Sequence, residues 1–198
     1  MAVQHGIQSG QLLDDPRIAG VHRGKIGQYC RNPKEFLTLN QGWTDMVEWN
    51  MDRWKYFDIT SRDQPLGNPL SIAKLDEIIA LLDLNPGDKV LDVACGNGEM
   101  LVRIVERYGA RGVGLDLSPY VIKDAELKKA ERAPNVDLQF IEIDGAKYQP
   151  EDSDMFDIAS CIGASWIWQG YRGTLRALKD LVTPGGLVAV GEPHWLQP

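Results

Sequence analysis

The sequence predicts an α/β domain with a mostly parallel sheet and helices on both faces. From about residue 89 onwards, short apolar runs alternate with amphipathic helical patterns, as is typical of successive strand–helix–strand units. Two of these runs carry acids at their carboxyl ends, Asp92 and Asp116, and glycines lie close to both acids. Parallel sheets bind ligands at this end of their strands, so the same observations locate a candidate site.

The region before the alternating pattern predicts an arm and a helical cap. Residues 1–35 are polar and show poor periodicity, which favours an irregular arm. Apolar residues then recur at steps of three or four, which predicts an amphipathic helix that either packs on the domain or forms part of a lid. They are Trp43, Val47, Met51, Trp54 and Phe57. A loop rich in Pro and Gly at 63–69 ends this pattern. We therefore predict an arm and cap over residues 1–64 and a core domain over 65–198.

The core pattern predicts five strands and four helices. The strands fall at about 89–94, 111–116, 136–143, 155–162 and 187–190, and the helices at about 72–82, 98–108, 119–132 and 170–181. Because the chain stops soon after the fifth strand, that strand presents an apolar edge, which proteins rarely leave open. The arm or a partner could cover the edge, for example in a homodimer, but we favour a fragment truncated after strand five.

Composition favours a single domain that acts on small molecules. Of the 198 residues, 43% are hydrophobic and 25% are charged, and the net charge is −7. An acidic chain is poorly suited to a phosphate backbone, so no nucleic-acid partner is expected. We also expect no membrane segment, because no apolar run approaches the roughly 20 residues that span a bilayer. Cys30, Cys95 and Cys161 are too scattered to predict a disulfide framework or a metal site, and a cytoplasmic location fits best.

The residues at the predicted carboxyl ends suit a nucleoside. Gly96 and Gly98 lack a Cβ, which allows a tight turn and a close approach to a ligand. Asp116 ends the second predicted strand, and its carboxylate can accept both hydroxyl hydrogen bonds of a ribose. Asp144 ends the third and can accept from an adenine amino group, while Gly145 leaves room for a flat ring.

The same residues argue against a nicotinamide dinucleotide. That ligand favours G-x-G-x-x-G, but Leu101 stands where the third glycine would be. A pyrophosphate is also unfavourable near Asp92, whereas acids at this rim attract a cationic cofactor. An NAD-dependent oxidoreductase is therefore the alternative to a protein that binds a positively charged nucleoside.

At this point the chain resembles the class I S-adenosylmethionine-dependent methyltransferases, and in particular a poorly characterised bacterial subgroup of small enzymes. The first motif is similar to Leu91–Gly98, the second to Gly114–Ser118, the third to Asp144–Ala146 and the fourth to Phe156–Ile158. The segment Leu181–Gly186 resembles the turn before the fifth strand. Two features depart from the family: Ala94 replaces a frequent glycine, and members normally continue into two more strands.

The resemblance implies a Rossmann-like fold and S-adenosylmethionine as the cofactor, with S-adenosylhomocysteine as its product. It places Asp92 near the methionine end, Asp116 at the ribose and Asp144 near the adenine. The complete predicted cofactor site comprises Asp92, Ala94, Cys95, Gly96, Asn97, Gly98, Asp116, Leu117, Asp144, Gly145, Ala146, Cys161 and Gly163.

Methyl transfer from a sulfonium is an in-line displacement, so the protein contributes mainly position and orientation. A hydroxyl or ammonium acceptor also benefits from a base, and His194 and Glu192 are the candidates. Trp166 can form an aromatic wall near a cation. The alternatives are hydrogen bonding within the loop for His194 and Glu192, and packing for Trp166. We predict methyl transfer to a small-molecule acceptor; a non-catalytic S-adenosylmethionine-binding protein is a further alternative.

Overall fold

The computed structural model describes residues 18–20, 52–151 and 154–192. Within them, six strands form one sheet in the order β1-β6-β5-β2-β3-β4, and every neighbouring pair is parallel. The strands are β1 (Ile18–Gly20), β2 (Lys89–Val93), β3 (Arg111–Asp116), β4 (Leu138–Glu142), β5 (Phe156–Ile162) and β6 (Val182–Gly191). The predicted α/β class with a parallel, Rossmann-like sheet is confirmed.

The strand order fixes where a ligand can enter. From β2 the chain proceeds outward through β3 to β4, and it then crosses back to place β5 on the other side of β2. Strand order therefore reverses between β2 and β5, and a crevice opens outside the carboxyl ends of such strands.

Five helices surround the sheet in the described ranges: α1 (Arg53–Ser61), α2 (Ile72–Ala80), α3 (Glu99–Tyr108), α4 (Pro119–Arg132) and α5 (Tyr171–Lys179). One buried core joins α2, α3 and α4 to one face of the sheet, through side chains such as Ile79, Leu101 and Ala125. A second core joins α5 to the opposite face, where Leu178 packs with Leu91. Over the same part of the chain, none of the helices combines the length and the apolar character that crossing a bilayer requires.

Local sequence explains most of the boundaries. Ser71 precedes α2, and its hydroxyl accepts the Lys74 N–H at 3.2 Å as an N-cap. Helix α4 begins with Pro119 at the first position, which needs no N–H donor. Strand β6 begins five residues earlier than predicted, at Val182, because the turn glycines are accommodated inside the strand by a register shift opposite Phe156–Ile158.

The prediction that the last strand has an open edge is wrong near the carboxyl end of that strand. Ile18, Ala19 and Gly20 pair in parallel with Val188–Val190 of β6. The arm, predicted to be irregular, thus satisfies the backbone groups that an edge strand exposes. The homodimer predicted through this edge is not supported, because the chain's own residues occupy it there.

The predicted cap helix is present as α1, which begins after Asp52. The Asp52 carboxylate accepts the N–H groups of Trp54 and Lys55 at 3.0 and 3.2 Å. Its second oxygen accepts the Tyr120 hydroxyl at 2.5 Å and so joins α1 to α4. Three residues of the predicted stripe, Trp43, Val47 and Met51, lie outside the described residues.

Candidate active site

A cavity of about 320 Å³ lies at the carboxyl ends of β3 and β4. Six residues predicted from sequence to bind a cofactor line it: Ala94, Asp116, Leu117, Asp144, Gly145 and Ala146. These residues come from three separate loops, and the parallel sheet brings them together because its strands end at one rim.

The remaining walls of the cavity are apolar and aromatic. Leu115, Ile143 and Ile167 supply the aliphatic surface. Trp54 reaches the cavity from α1, and Trp166 reaches it from the short 3₁₀ turn after β5, with 65% of its surface exposed. An apolar pocket with few polar groups is typical of a small-molecule site. Trp54 was predicted only as part of a packing or lid stripe, because its position at the cavity depends on how α1 docks.

Asp116 links the end of β3 to residues 94–98, the glycine loop, which follow β2. One carboxylate oxygen accepts the Gly96 N–H at 3.0 Å, and the other accepts the Ser118 N–H at 2.9 Å. Burial raises the pKa of Asp116, and its backbone hydrogen bonds oppose that rise. Each oxygen keeps acceptor capacity for a further donor such as a ribose hydroxyl.

The glycine loop contains three left-handed residues, and their surroundings differ. Gly96 has a φ of 56°, and a Cβ there would meet nothing within 4 Å, so its face is open to a ligand. A Cβ on Gly98 would lie 2.5 Å from the Phe140 ring, so this glycine allows α3 to pack on the sheet. Ala94 has a φ of 59°, a conformation that is strained for any residue with a Cβ.

Asn97, also in this loop, does not line the cavity. Its side-chain amide donates to the Pro65 carbonyl at 3.1 Å and ties down the segment after α1. It also lines a larger cavity of about 670 Å³ between α1 and α4. The larger cavity contains none of the other predicted site residues, so we place the candidate site in the smaller one.

Asp144 and Gly145 form the wall beside β4. The Asp144 carboxylate accepts the Ala146 N–H at 3.0 Å and caps a 3₁₀ turn over Gly145–Lys147. A Cβ on Gly145 would lie 2.4 Å from Cγ1 of Val93. This glycine therefore allows close packing against β2, which the sequence did not predict; its predicted role beside a flat ring stays a prediction.

Asp92 lies beneath the glycine loop and is only 4% exposed. Its carboxyl is 2.7 Å from the Ser160 hydroxyl on the neighbouring strand β5. Burial raises the pKa of Asp92 to about 7; the Ser160 hydrogen bond opposes this shift, and the charge of Asp116 adds to it. Ser160 was not predicted as a site residue, although a hydroxyl within an otherwise apolar strand is a usable signal.

Comparison with known proteins identifies the family. Residues 90–186 match a family model described as a methyltransferase domain. A methyltransferase from Thiobacillus denitrificans, solved in complex with S-adenosyl-L-homocysteine, is 35% identical with a TM-score of 0.69, over 74% of this chain and 58% of that one. The chain belongs to the class I S-adenosylmethionine-dependent methyltransferases.

Two further proteins are similar to this chain in sequence. The uncharacterized protein YjhP of Escherichia coli is 32% identical over 147 residues, which is 74% of this chain and 58% of that protein. A ubiquinone biosynthesis O-methyltransferase of Albidiferax ferrireducens is 29% identical over 154 residues, 76% of this chain and 58% of that protein. The chain thus spans just under three fifths of these relatives' lengths.

Of the two cysteines predicted at the cofactor site, Cys95 lies in the loop after β2 and Cys161 lies on β5. Cys95 and Cys161 are buried in the two opposite cores. Burial is the main reason that the pKa of each thiol is raised. Gly163 follows β5 with a φ of 88° and open space beside it, and its N–H donates to the Gly191 carbonyl at 2.7 Å.

Of the three residues predicted for methyl transfer, the described part of the chain includes Glu192 and Trp166. Glu192 follows β6, and its carboxylate accepts the Ser165 N–H at 2.5 Å, which anchors the 3₁₀ turn that carries Trp166. Trp166 lines the cavity near Asp144. His194 lies outside the described residues. Within the part of the chain described, Glu192 therefore has the geometry of a residue that orders the turn.

Proposed function

We propose that this chain binds S-adenosylmethionine in the 320 Å³ cavity and transfers its methyl group to a small-molecule acceptor. The observation that carries the proposal is the position of Asp116. Its carboxylate lines the cavity at the end of β3 and at the same time holds the glycine loop through Gly96. The likeness to a methyltransferase solved with S-adenosyl-L-homocysteine supports the same ligand.

The cavity residues fit the parts of that cofactor. Asp116 would accept the ribose hydroxyls, and Asp144 would accept from the adenine amino group. The apolar surfaces of Leu117 and Ile143 would contact the purine, with Trp54 and Trp166 at the cavity's edge. The open face of Gly96 would adjoin the methionine part. When bound, the cofactor supplies a methyl group that is already activated on a sulfonium.

The protein's own contribution is position rather than acid–base chemistry, since in-line transfer depends mainly on orientation. Helix α1 is held against α4 by the Asp52–Tyr120 hydrogen bond, and this places Trp54 at the cavity. Glu192 fixes the turn that carries Trp166. We therefore assign the cap to the cofactor and acceptor side of the site, and Glu192 to positioning.

A small acceptor fits the chain's chemistry. The net charge of −7 disfavours a nucleic-acid acceptor. The family includes a ubiquinone biosynthesis O-methyltransferase among the relatives of this chain, which supports a small organic acceptor.

Calorimetry tests the cofactor assignment. We expect S-adenosylhomocysteine to bind and NAD not to bind. Asp116→Ala should weaken binding by about 1.5–3 kcal/mol, the range for hydrogen bonds to a charged group. Asp124→Ala is the matched control, because it removes an exposed carboxylate that lines the larger cavity.

Two results would overturn the assignment: tight NAD binding without S-adenosylhomocysteine binding, or loss of affinity in Asp124→Ala but not in Asp116→Ala. A methyl-release assay over phenols, amines and carboxylic acids then tests transfer itself. Binding without turnover of any acceptor would favour the non-catalytic alternative.

A further inference from the structure

Asp92 is a buried acid that faces no cation among the described residues. It is 4% exposed, and the groups that act on its carboxyl are the Ser160 hydroxyl and the Asp116 carboxylate. An ionised carboxylate is unfavourable in such a place unless an opposite charge accompanies it. The surroundings of Asp92 therefore suit either a neutral carboxylic acid or a carboxylate that is paired with a positively charged ligand.

The hydrogen bonds around Ser160 suit the neutral acid. Its hydroxyl oxygen lies 2.7 Å from the Asp92 carboxyl and 3.1 Å from the Leu91 carbonyl. A serine has one hydroxyl hydrogen, and a carbonyl can only accept. If Asp92 is protonated, it donates to Ser160 while Ser160 donates to Leu91, and both contacts carry a hydrogen. If Asp92 is ionised, one contact lacks a hydrogen.

The pKa of Asp92 also depends on charge at the cavity wall. Two residues after it, Ala94 lines the cavity, and so does Asp116, whose negative charge contributes to raising the pKa of Asp92. A positive charge placed in the same cavity acts in the opposite sense and favours the ionised form.

The other titratable groups near Asp92 do not act as a buried acid that responds to a charged ligand. Cys95 in the loop and Cys161 on β5 are buried, and the charge of Asp92 helps to raise the pKa of both thiols, so they stay protonated. On α3, the first charged residue is Glu99, whose carboxylate is paired with Arg103 at 2.6 Å and with two cations of α4.

We propose that Asp92 carries a proton in the ligand-free protein and releases it to solvent when the positively charged cofactor binds, with Ser160 as the positioning residue. The O–H bond of the carboxylic acid breaks, the proton passes to the buffer, and the carboxylate remains as the counter-charge. The Ser160 hydroxyl then turns from the Leu91 carbonyl and donates to Asp92. This inference rests on the proposed function.

The test is calorimetry of the full chain in two buffers with different ionisation enthalpies, which measures protons released per ligand bound. S-adenosylmethionine is the charged probe, and 5′-methylthioadenosine is the neutral one. We expect S-adenosylmethionine to release about half a proton at pH 7 and nearly one at pH 6, and to bind about tenfold more weakly at pH 6 than at pH 8. The neutral probe should release none.

Variants identify the group responsible. Asp92→Asn should abolish the proton release caused by S-adenosylmethionine. Ser160→Ala removes the donor that stabilises the ionised form, so the release should shift to higher pH and affinity at pH 7 should fall. Thr174→Val is the matched control, because it deletes a buried hydroxyl that donates to backbone carbonyls elsewhere. It should leave the pH profile of release unchanged.

The outcomes separate this inference from the proposed function. If S-adenosylmethionine binds with no proton release, or with proton uptake, the inference is wrong and the cofactor assignment stands. Equal release with 5′-methylthioadenosine, or undiminished release in Asp92→Asn, also overturns it. If S-adenosylmethionine fails to bind at any pH from 6 to 8, the proposed function itself fails. The comparison of the two probes uses only the unaltered chain, so it holds even if a variant does not fold.

Discussion

Replacing Asp92 with asparagine should change how the stability of the protein depends on pH. The pKa of this carboxyl is 3.8 when unperturbed and about 7 in the folded protein. An acid whose pKa is raised in the folded state does not change the free energy of unfolding at a pH below its unfolded pKa. Above its folded pKa, it lowers that free energy by the full amount. As the pH rises from about 4 to about 7, the unfolded chain loses this proton while the folded chain keeps it, so stability falls.

The size of the effect follows from the two pKa values. A separation of 3.8 to about 7 corresponds to about 4 kcal/mol at high pH, and roughly 2–3 kcal/mol of this develops between pH 5 and pH 8. The asparagine side chain cannot ionise, so the stability of Asp92→Asn relative to the natural chain should increase by that amount over this interval. A buried amide can add its own penalty, but that penalty does not vary with pH.

Urea unfolding followed by circular dichroism, repeated from pH 5 to pH 8, measures this difference. Urea is preferred to guanidinium because it adds no ionic screening. Asp137→Asn, which alters an exposed carboxylate just before β4, controls for the loss of one acid. If the curves of Asp92→Asn and the natural chain run parallel over this range, Asp92 is not a raised-pKa acid, and the reasoning is refuted.

Two further predictions concern backbone positions in the site, and thermal or urea unfolding checks both. Gly145→Ala should destabilise the protein by about 1–3 kcal/mol, because the new Cβ meets Val93 at 2.4 Å, whereas Gly67→Ala, with nothing within 4 Å, should change it by less than about 0.5 kcal/mol. Equal effects would contradict the close contact. Ala94→Gly should stabilise it by about 0.5–1 kcal/mol, because glycine relieves the left-handed strain at φ 59° although it also gains freedom in the unfolded chain. A lower unfolding temperature would mean that relief of the strain stabilises the folded protein by less than the added freedom of glycine stabilises the unfolded chain.

The core of the fold could be predicted from the sequence because local signals and packing agree there. The pattern predicted β3 at the same residues, and it predicted α3 to within one residue because glycines lie at both ends of this helix. Strand β1 could not be predicted. It has three residues, too few to show a period, and it pairs with residues about 170 positions further along the chain.

The candidate site could be predicted in part, for a related reason. Acids that end parallel strands must meet at one rim, so Asp116 and Asp144 were found together at the cavity. What a side chain does inside the rim depends on its tertiary neighbours. Asn97 binds the Pro65 carbonyl, and Gly145 accommodates Val93; neither partner can be identified from a local motif.

The preference for a cationic cofactor has a different basis from the one that the sequence predicts. Counting acids at the rim overstates the negative charge, because burial raises the pKa of Asp92 to about 7. The hydrogen bonds of the glycine loop give a stronger argument. A pyrophosphate is normally held by free N–H groups of such a loop.

Three of those donors are already used within the protein. The Gly96 N–H donates to Asp116 at 3.0 Å, the Gly98 N–H to the Cys95 carbonyl at 3.1 Å, and the Cys95 N–H to the Leu115 carbonyl at 2.9 Å. An anion at this loop would have to displace the Asp116 carboxylate, whereas a ligand with hydroxyl and ammonium donors can add to it. Discrimination against a dinucleotide therefore lies in where the loop's own hydrogen bonds go, and the number of acids nearby is secondary.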